Sequence, residues 1–183
     1  MSSEEIQSSE EINSTKTKKP LEKWYALYTH PRAEKLVHKR LLEIGIETFL
    51  PLQKTFRKWS DRKKIVEKPL ISSYIFVKTR NKYFPSIYNI IGVVKFVSFE
   101  GHPVSIPPKQ IDNLRLIINS DAEVEVSSDK FAPGDAVEVI SGSLAGLTGE
   151  LIKIGNKNRV VVRVDRLDQN LILKIPTAFL KKI

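Results

Sequence analysis

The chain of 183 residues contains no cysteine, and that absence excludes several kinds of site. Without thiols there is no disulfide framework, thiolate metal centre or cysteine nucleophile, so we expect a protein of the reducing cytoplasm. The sequence also lacks an apolar run of the roughly 20 residues that a membrane-spanning helix needs, so we expect no membrane partner. The N-terminal stretch MSSEEIQSSEEINSTKTKKP lacks the apolar core of a signal peptide, so export is not expected.

Residues that carry catalysis are also scarce. The chain has three histidines, His30, His38 and His102, and they are scattered along the sequence. No glycine-rich phosphate loop precedes a predicted helix, and the serines lack a matching histidine and acid in any recognisable motif. We therefore predict no enzymatic activity, no cofactor and no metal site.

What the chain has in excess is positive charge. Its formal net charge is +9, and residues 24–120 alone carry 17 basic and 7 acidic side chains. Residues 121–183 are balanced, with 9 of each sign. A positive segment beside a neutral one indicates that one domain, not the whole chain, meets a polyanion. A basic surface kept for solubility is the alternative.

Composition divides the chain into four segments. Residues 1–22 are polar with few apolar side chains, which predicts a disordered tail. Residues 23–118 alternate predicted strands and helices, and residues 119–130 are polar and acidic, as in a linker. Residues 131–183 contain four or five short predicted strands separated by turn residues, which favours a small SH3-like β-barrel.

The order of elements in residues 23–118 predicts an α+β fold. Residues 24–29 (WYALYT) have the pattern of a strand, and a helix follows over 32–44 with Leu36, Val37 and Ile44 among the apolar residues of one face. A basic hairpin is predicted with strands over 55–59 and 63–67, then a strand over 93–99 and a helix from 107 to 118. The order β-α-β-hairpin-β-α-β-α matches a ferredoxin-like α/β sandwich.

Glycines surround the first strand of the last segment, which begins FAPGDAVEVISGSLAGLTG. Alternating valines flanked by glycines, where the backbone turns sharply, are typical of a small barrel with an open binding surface. This run resembles the KOW motif, whose residues here are Gly134, Asp135, Val137, Val139, Gly142, Gly146 and Gly149.

Several separated motifs together resemble one family. They are WYALY from Trp24, PLISSYIFV from Pro69, GVVKF from Gly92, PVSIP from Pro103 and the KOW run. They occur between residue 24 and residue 183 in the order typical of the NusG family. The hairpin with WSDRKK resembles the specialised UpxY and RfaH type antiterminators. The resemblance implies a monomeric transcription elongation and antitermination factor, with an NGN domain followed by a KOW domain.

The resemblance also implies two contacts with RNA polymerase. An apolar patch would pack on the clamp helices, and the opposite side would meet the gate loop. The patch residues are Tyr28, Ile71, Tyr74 and Phe99, and the gate-loop residues are Tyr83, Phe84, Pro85 and Ser86. Where the family usually has Phe-Pro-Gly or Phe-Pro-Asn before the tyrosine, this chain has Ile71-Ser72-Ser73. Aromatic residues at strand spacing are often core residues, so core packing is the alternative for both sets.

A third implied contact is with upstream or non-template DNA. Arginine and lysine neutralise phosphates, and a tryptophan stacks on an exposed base. The residues predicted for this surface are His30, Arg32, Lys35, Lys39, Arg57, Lys58, Trp59, Arg62, Lys63 and Lys64. For any single lysine among them, a solvated surface charge is the alternative.

For the KOW domain the resemblance implies either a small-subunit ribosomal protein or the termination factor Rho as partner. RfaH can store its C-terminal domain as helices, but β-branched runs such as Val160-Val161-Val162 favour a β-barrel here. The rival hypothesis is a KOW-containing ribosomal or RNA-binding protein. Such a protein should carry excess positive charge on its barrel, whereas residues 121–183 are balanced.

Overall fold

The computed structural model describes residues 21–58 and 63–183 of the chain. Its N-terminal part, residues 21–118, contains nine strands and three α-helices in the described ranges. In chain order they are β1 (Lys23–Thr29), α1 (Glu34–Glu43), β2 (Glu47–Phe49), β3 (Leu52–Lys58), β4 (Lys63–Pro69), β5 (Tyr74–Thr79), α2 (Phe84–Tyr88), β6 (Val93–Phe96), β7 (Ser98–Phe99), β8 (His102–Pro103), β9 (Ser105–Ile106) and α3 (Pro108–Ile118). Its C-terminal part, residues 124–183, contains β10 (Val124–Ser127), β11 (Asp135–Val139), β12 (Thr148–Ile154), β13 (Lys157–Val164), β14 (Gln169–Leu173) and β15 (Leu180–Lys182).

The sheet of the N-terminal part is organised around β1. Its strands follow the order β2-β5-β1-β6, and β9 also pairs with β1. Both faces of β1 are buried because successive side chains enter different clusters. Tyr25 and Leu27 pack with Val37 and Leu41 of α1, while Trp24 and Ala26 share the other cluster with α3 residues such as Leu114. Burying each large apolar side chain contributes about 1.5–3 kcal/mol.

The helix predicted after the first strand is confirmed as α1. Its buried face is narrower than the sequence predicts. Leu36 and Ile44 were expected in the core and are 47% and 51% exposed. α1 packs on the sheet through Val37 and Leu41, and the backbone of Gly92 lies close to Val37. A Cβ at Gly92 would lie 2.8 Å from Cγ2 of Val37. Leu36 lies about 100° around the helix from Val37 and therefore faces solvent.

Two segments differ from the elements predicted. The strand expected over 93–99 is divided into β6 and β7. Between them, Val97 donates its N–H to the carbonyl of Ala26 on β1, and its own carbonyl accepts from the Val104 N–H. β7 instead pairs with β8 across a two-residue turn at Glu100 and Gly101, both with positive φ. Residues 119–130, predicted as a linker, contain β10, which pairs antiparallel with β14.

The C-terminal part is one six-stranded antiparallel sheet in the order β10-β14-β13-β12-β11-β15. Five of these strands, β11 to β15, lie in residues 131–183, where four or five short strands are predicted. Apolar residues of this sheet, including Val137, Val160 and Leu171, belong to the same buried cluster as Trp24 and Leu114. The C-terminal part is therefore packed against the α3 side of the N-terminal sheet.

Candidate functional site

Tyr28 and Tyr74, two of the predicted patch residues, lie together at one end of the N-terminal sheet. They are opposed in the register between β1 and β5, and their rings meet edge to face at 5.3 Å between centroids. Both are half-buried. Burial raises the pKa of Tyr74, and the nearby Tyr28 and Asp168 raise it further. Tyr74 is therefore a neutral phenol near pH 7, able to donate and accept hydrogen bonds.

Ile71 lies in the loop that leads into β5, three residues before Tyr74. Its side chain is 2% exposed and belongs to the cluster that extends into the C-terminal part. The loop then passes through Ser73, whose φ is +64°, in the left-handed region that favours glycine and asparagine. Glycine or asparagine would adopt this conformation with less strain than serine does.

Phe99 stands apart from the tyrosine pair. It lies on β7 in the separate two-stranded ribbon with β8 and is 61% exposed. Within residues 21–58 and 63–183, its ring makes no contact with the ring of Tyr28 or Tyr74. The structure thus joins three of the four predicted patch residues through one strand pair and its loop.

The residues predicted for the gate-loop side divide into core and surface. Phe84 begins α2 and packs on Tyr25 and Phe96, with ring centroids 5.0 and 4.4 Å away. Pro85 and Ser86, the next two residues, are exposed, as is Tyr83. The proline stands in the first turn of α2, where its missing N–H has no helical partner to lose. Phe84 therefore supports this surface from below, and the other three form it.

The basic residues predicted on α1 lie beside the hairpin formed by β3 and β4. Lys35 Nζ is 3.7 Å from a carboxylate oxygen of Glu67 on β4, and Lys39 pairs with Glu43 at 3.9 Å. Both pairs are solvent-exposed and contribute at most about 1 kcal/mol. His30 and Arg32 are exposed in the turn before α1.

The other basic residues predicted on the hairpin lie at its far end. In the backbone register of β3 and β4, Arg57 is opposite Lys64, and Lys58 is opposite Lys63. Trp59 and Arg62, also predicted for this surface, lie outside the described residues.

The glycines of the KOW run have two different structural roles. Gly142 and Gly146 have φ of +84° and +88° in the turns between β11 and β12. Gly134 and Gly149 instead allow a neighbouring strand to approach closely. A Cβ at Gly134 would lie 2.3 Å from the Leu151 carbonyl oxygen, and a Cβ at Gly149 would lie 2.8 Å from the Val161 carbonyl oxygen. Val137 and Val139 are buried, and Asp135 pairs with Lys182 at 2.9 Å.

Sequence reasoning missed the contacts that join the two parts of the chain. Asn113 on α3 donates its amide N–H to the Thr148 carbonyl at 2.9 Å and accepts from the Thr148 N–H at 3.4 Å. Lys109, one turn earlier, donates to the Gly146 carbonyl at 2.9 Å. The signal in the sequence is a polar residue on the apolar stripe of α3, but its partner 35 residues away is visible only in the fold.

Metal-binding and membrane-spanning features are not found within residues 21–58 and 63–183. No group of three or more histidine, aspartate and glutamate side chains could hold a metal ion in that part of the chain. In the same ranges, no helix is long and apolar enough to cross a membrane.

His38 is half-buried against Thr48, and burial lowers its pKa.

Comparisons with known proteins agree with these motifs. The profile of the family described as "Transcription termination factor nusG" matches residues 22–115. Proteins described as "Transcription termination/antitermination protein NusG" from Rickettsia typhi and Thermus thermophilus are each 24% identical over 160 residues. The matches cover 81% and 77% of this chain, and 83% and 86% of those proteins.

A solved structure titled "Domain interaction in Thermotoga maritima NusG" is also similar. It is 22% identical, covers 88% of this chain and 97% of its own, and superimposes with a TM-score of 0.48. Factors of this kind work with RNA polymerase in transcription. The profile match covers more than half of the chain, and it contains the strand, loop and hairpin motifs described above. The chain therefore belongs to the NusG family of transcription termination and antitermination factors.

Proposed function

We propose that this protein is an elongation and antitermination factor of the specialised UpxY and RfaH type. In this proposal residues 23–118 are a ferredoxin-like NGN domain that binds RNA polymerase. Residues 131–183 are an SH3-like KOW domain that recruits a second partner. The observation that carries the proposal is the paired Tyr28 and Tyr74 at the end of the sheet, within a chain that matches the family profile.

The tyrosine pair would pack on the clamp helices of the polymerase, and Ile71, predicted for the same patch, is buried and would support the loop from below. Half-buried aromatic residues suit this role because they present a large apolar surface at low entropic cost. Exposed Phe99 would extend the same contact. On the opposite side, Tyr83, Pro85 and Ser86 would meet the gate loop. A domain held at both places bridges the cleft, so opening the cleft requires two contacts to break, and pausing and termination become less frequent.

The basic surface would contact upstream or non-template DNA. The salt bridge between Lys35 and Glu67 supports this role because it sets α1 beside the hairpin, joining two groups of cations. The strands of the hairpin carry Arg57, Lys58, Lys63 and Lys64, residue types that neutralise phosphates. Through its second domain the protein would reach a small-subunit ribosomal protein or Rho, at a local concentration raised by the tether.

Binding to core RNA polymerase tests the proposal. Immobilised polymerase should retain the full chain, and Tyr28→Ala or Tyr74→Ala should each weaken binding about tenfold, the usual effect of truncating an aromatic anchor. Phe179→Ala is the matched control, since Phe179 is 37% exposed in the C-terminal part and belongs to neither proposed polymerase contact. Affinity that is the same for all four proteins would contradict the patch assignment.

A further inference from the structure

We propose that Glu34 is a positioning residue for the polymerase contact. Its carboxylate holds the loop from Ile71 to Ser73 in the conformation that places Tyr74 opposite Tyr28. The inference rests on the proposed function for its consequence, but the bond on which it depends is a property of the free protein.

The bond joins the first residue of α1 to the loop before β5. Oε1 of Glu34 accepts a hydrogen bond from the backbone N–H of Ser73 at 2.7 Å, across 39 residues of sequence. That distance is in the range of charge-assisted hydrogen bonds, which are stronger than neutral ones. Glu34 therefore connects α1 to the patch loop by a single strong contact.

Glu34 is buried, which is unusual for a carboxylate. It is 5% exposed, and a charged group buried without partners is unfavourable. Here it lies in the first turn of a ten-residue helix, where free N–H groups and the helix dipole favour negative charge. Ala33, the preceding N-cap, supplies no side-chain hydrogen bond to those groups. The helix terminus and the Ser73 N–H together make the buried carboxylate tolerable.

Ser73 needs such a restraint because its backbone is unfavourable for an L-residue. With φ at +64° and no glycine at this position, the loop would relax unless it were held. It is held from both sides, since the Ser73 carbonyl accepts from the Thr29 N–H at 2.9 Å while Glu34 takes the Ser73 N–H. Loss of the Glu34 bond leaves one side only.

The restrained residue is placed where it controls the patch. Ser73 directly precedes Tyr74, which meets Tyr28 across the strand pair, and Ile71 is two residues earlier. A rotation at Ser73 changes the direction of the chain on both sides. Glu34 thus acts on the polymerase contact without being part of its surface.

The test compares Glu34→Ala, Glu34→Gln and the double variant Glu34→Ala with Ser73→Gly, all in the full chain. Glu34→Ala should speed hydrogen exchange of the Ser73 amide and weaken binding to core polymerase, each about tenfold. Glu34→Gln keeps an acceptor oxygen and should bind within about threefold of the unmodified chain. The added Ser73→Gly should restore binding, because glycine adopts positive φ without strain. Glu43→Ala, on the exposed end of the same helix, is the control.

The outcomes separate this inference from the proposed function. Unchanged Ser73 exchange in Glu34→Ala overturns the inference, as does a Glu34→Gln variant that binds as weakly as Glu34→Ala. Loss of protection throughout α1 that Ser73→Gly does not rescue shows a merely structural role and also overturns it. If the unmodified chain does not bind polymerase, the proposed function fails, while faster Ser73 exchange in Glu34→Ala still supports the loop restraint.

Discussion

At the scale of single residues, buried or half-buried carboxylates hold loop segments whose conformation the sequence does not predict. Glu34 restrains the loop before β5, and Glu150 restrains the segment before β11 in the C-terminal sheet. Glu150 on β12 accepts from Arg163 on β13 at 2.8 Å and from the Gly134 N–H at 2.9 Å. Arg163 also donates to the Phe131 and Ala132 carbonyls, both at 3.2 Å. These hydrogen bonds join the segment before β11 to the central strands β12 and β13.

This arrangement predicts a pH-dependent contribution to stability. The hydrogen bond from Arg163 holds the pKa of Glu150 below its ordinary value of 4.5, and the Gly134 N–H adds to this effect against the opposing influence of burial. Because the folded pKa is depressed, the stabilisation is present above 4.5 and is lost as pH falls through the folded value. Glu150→Gln should lower the free energy of unfolding by about 1.5–3 kcal/mol at pH 7, the usual range for a hydrogen bond to a charged group.

Urea unfolding of both proteins at pH 7 and at pH 3 measures the effect. The difference in unfolding free energy between them should narrow at the lower pH, because pH 3 is below the ordinary pKa of 4.5 and a proton then binds Glu150 more readily in the unfolded chain than in the folded one. Glu125→Gln, at an exposed position on β10, is the control and should change stability little at either pH. A difference for Glu150→Gln that stays constant between the two pH values would contradict the assignment.

At the scale of elements, local sequence chemistry predicted most of what the structure contains. The alternating valines and glycines of residues 131–154 predicted β11 and β12, and the proline pair at 107–108 predicted the start of α3. These signals are local, since turn residues and apolar periodicity act over a few positions. Ser98 and Phe99 were predicted to continue the strand that begins at 93, but they form the separate strand β7, whose partner β8 follows a turn with positive φ at Glu100.

Long-range pairing explains the other differences. β10 is polar and exposed along much of its length, and only its antiparallel partner β14 makes it a strand. Glu34 bonds a residue 39 positions away, and Asn113 one 35 positions away, so neither partner is encoded nearby. The tyrosine pair was predicted as a site from the family resemblance alone, whereas its opposed register comes from the fold.

At the scale of the whole molecule, the two parts of the chain are packed together. One buried cluster runs from Leu114 of α3 to Val160 and Leu171 of the C-terminal sheet. Asn113 and Thr148 exchange hydrogen bonds across the boundary, and Asp168 is close enough to Tyr74 to raise its pKa. The proposed clamp contact therefore lies beside the boundary between the parts.

Removing the Asn113 side chain should loosen this packing. Asn113→Ala removes the hydrogen bonds to the backbone of half-buried Thr148, and each such bond contributes about 0.5–1.5 kcal/mol. Small-angle scattering of the full chain should then show a larger radius of gyration, because the C-terminal part separates more often. Asp112→Ala, at the exposed neighbouring position, should leave the radius unchanged. Equal radii for the two variants would show that the Asn113 contact does not hold the parts together.

The central claim is that the chain acts on the transcribing polymerase. Its most direct test is single-round transcription through an intrinsic terminator, with and without the full chain, measuring the fraction of transcripts that extend past the terminator. We expect this fraction to rise as the protein is added, and we expect the rise to be smaller for Tyr74→Ala. Unchanged read-through, combined with tight binding of the same protein to ribosomal RNA, would contradict it and favour the ribosomal or RNA-binding alternative.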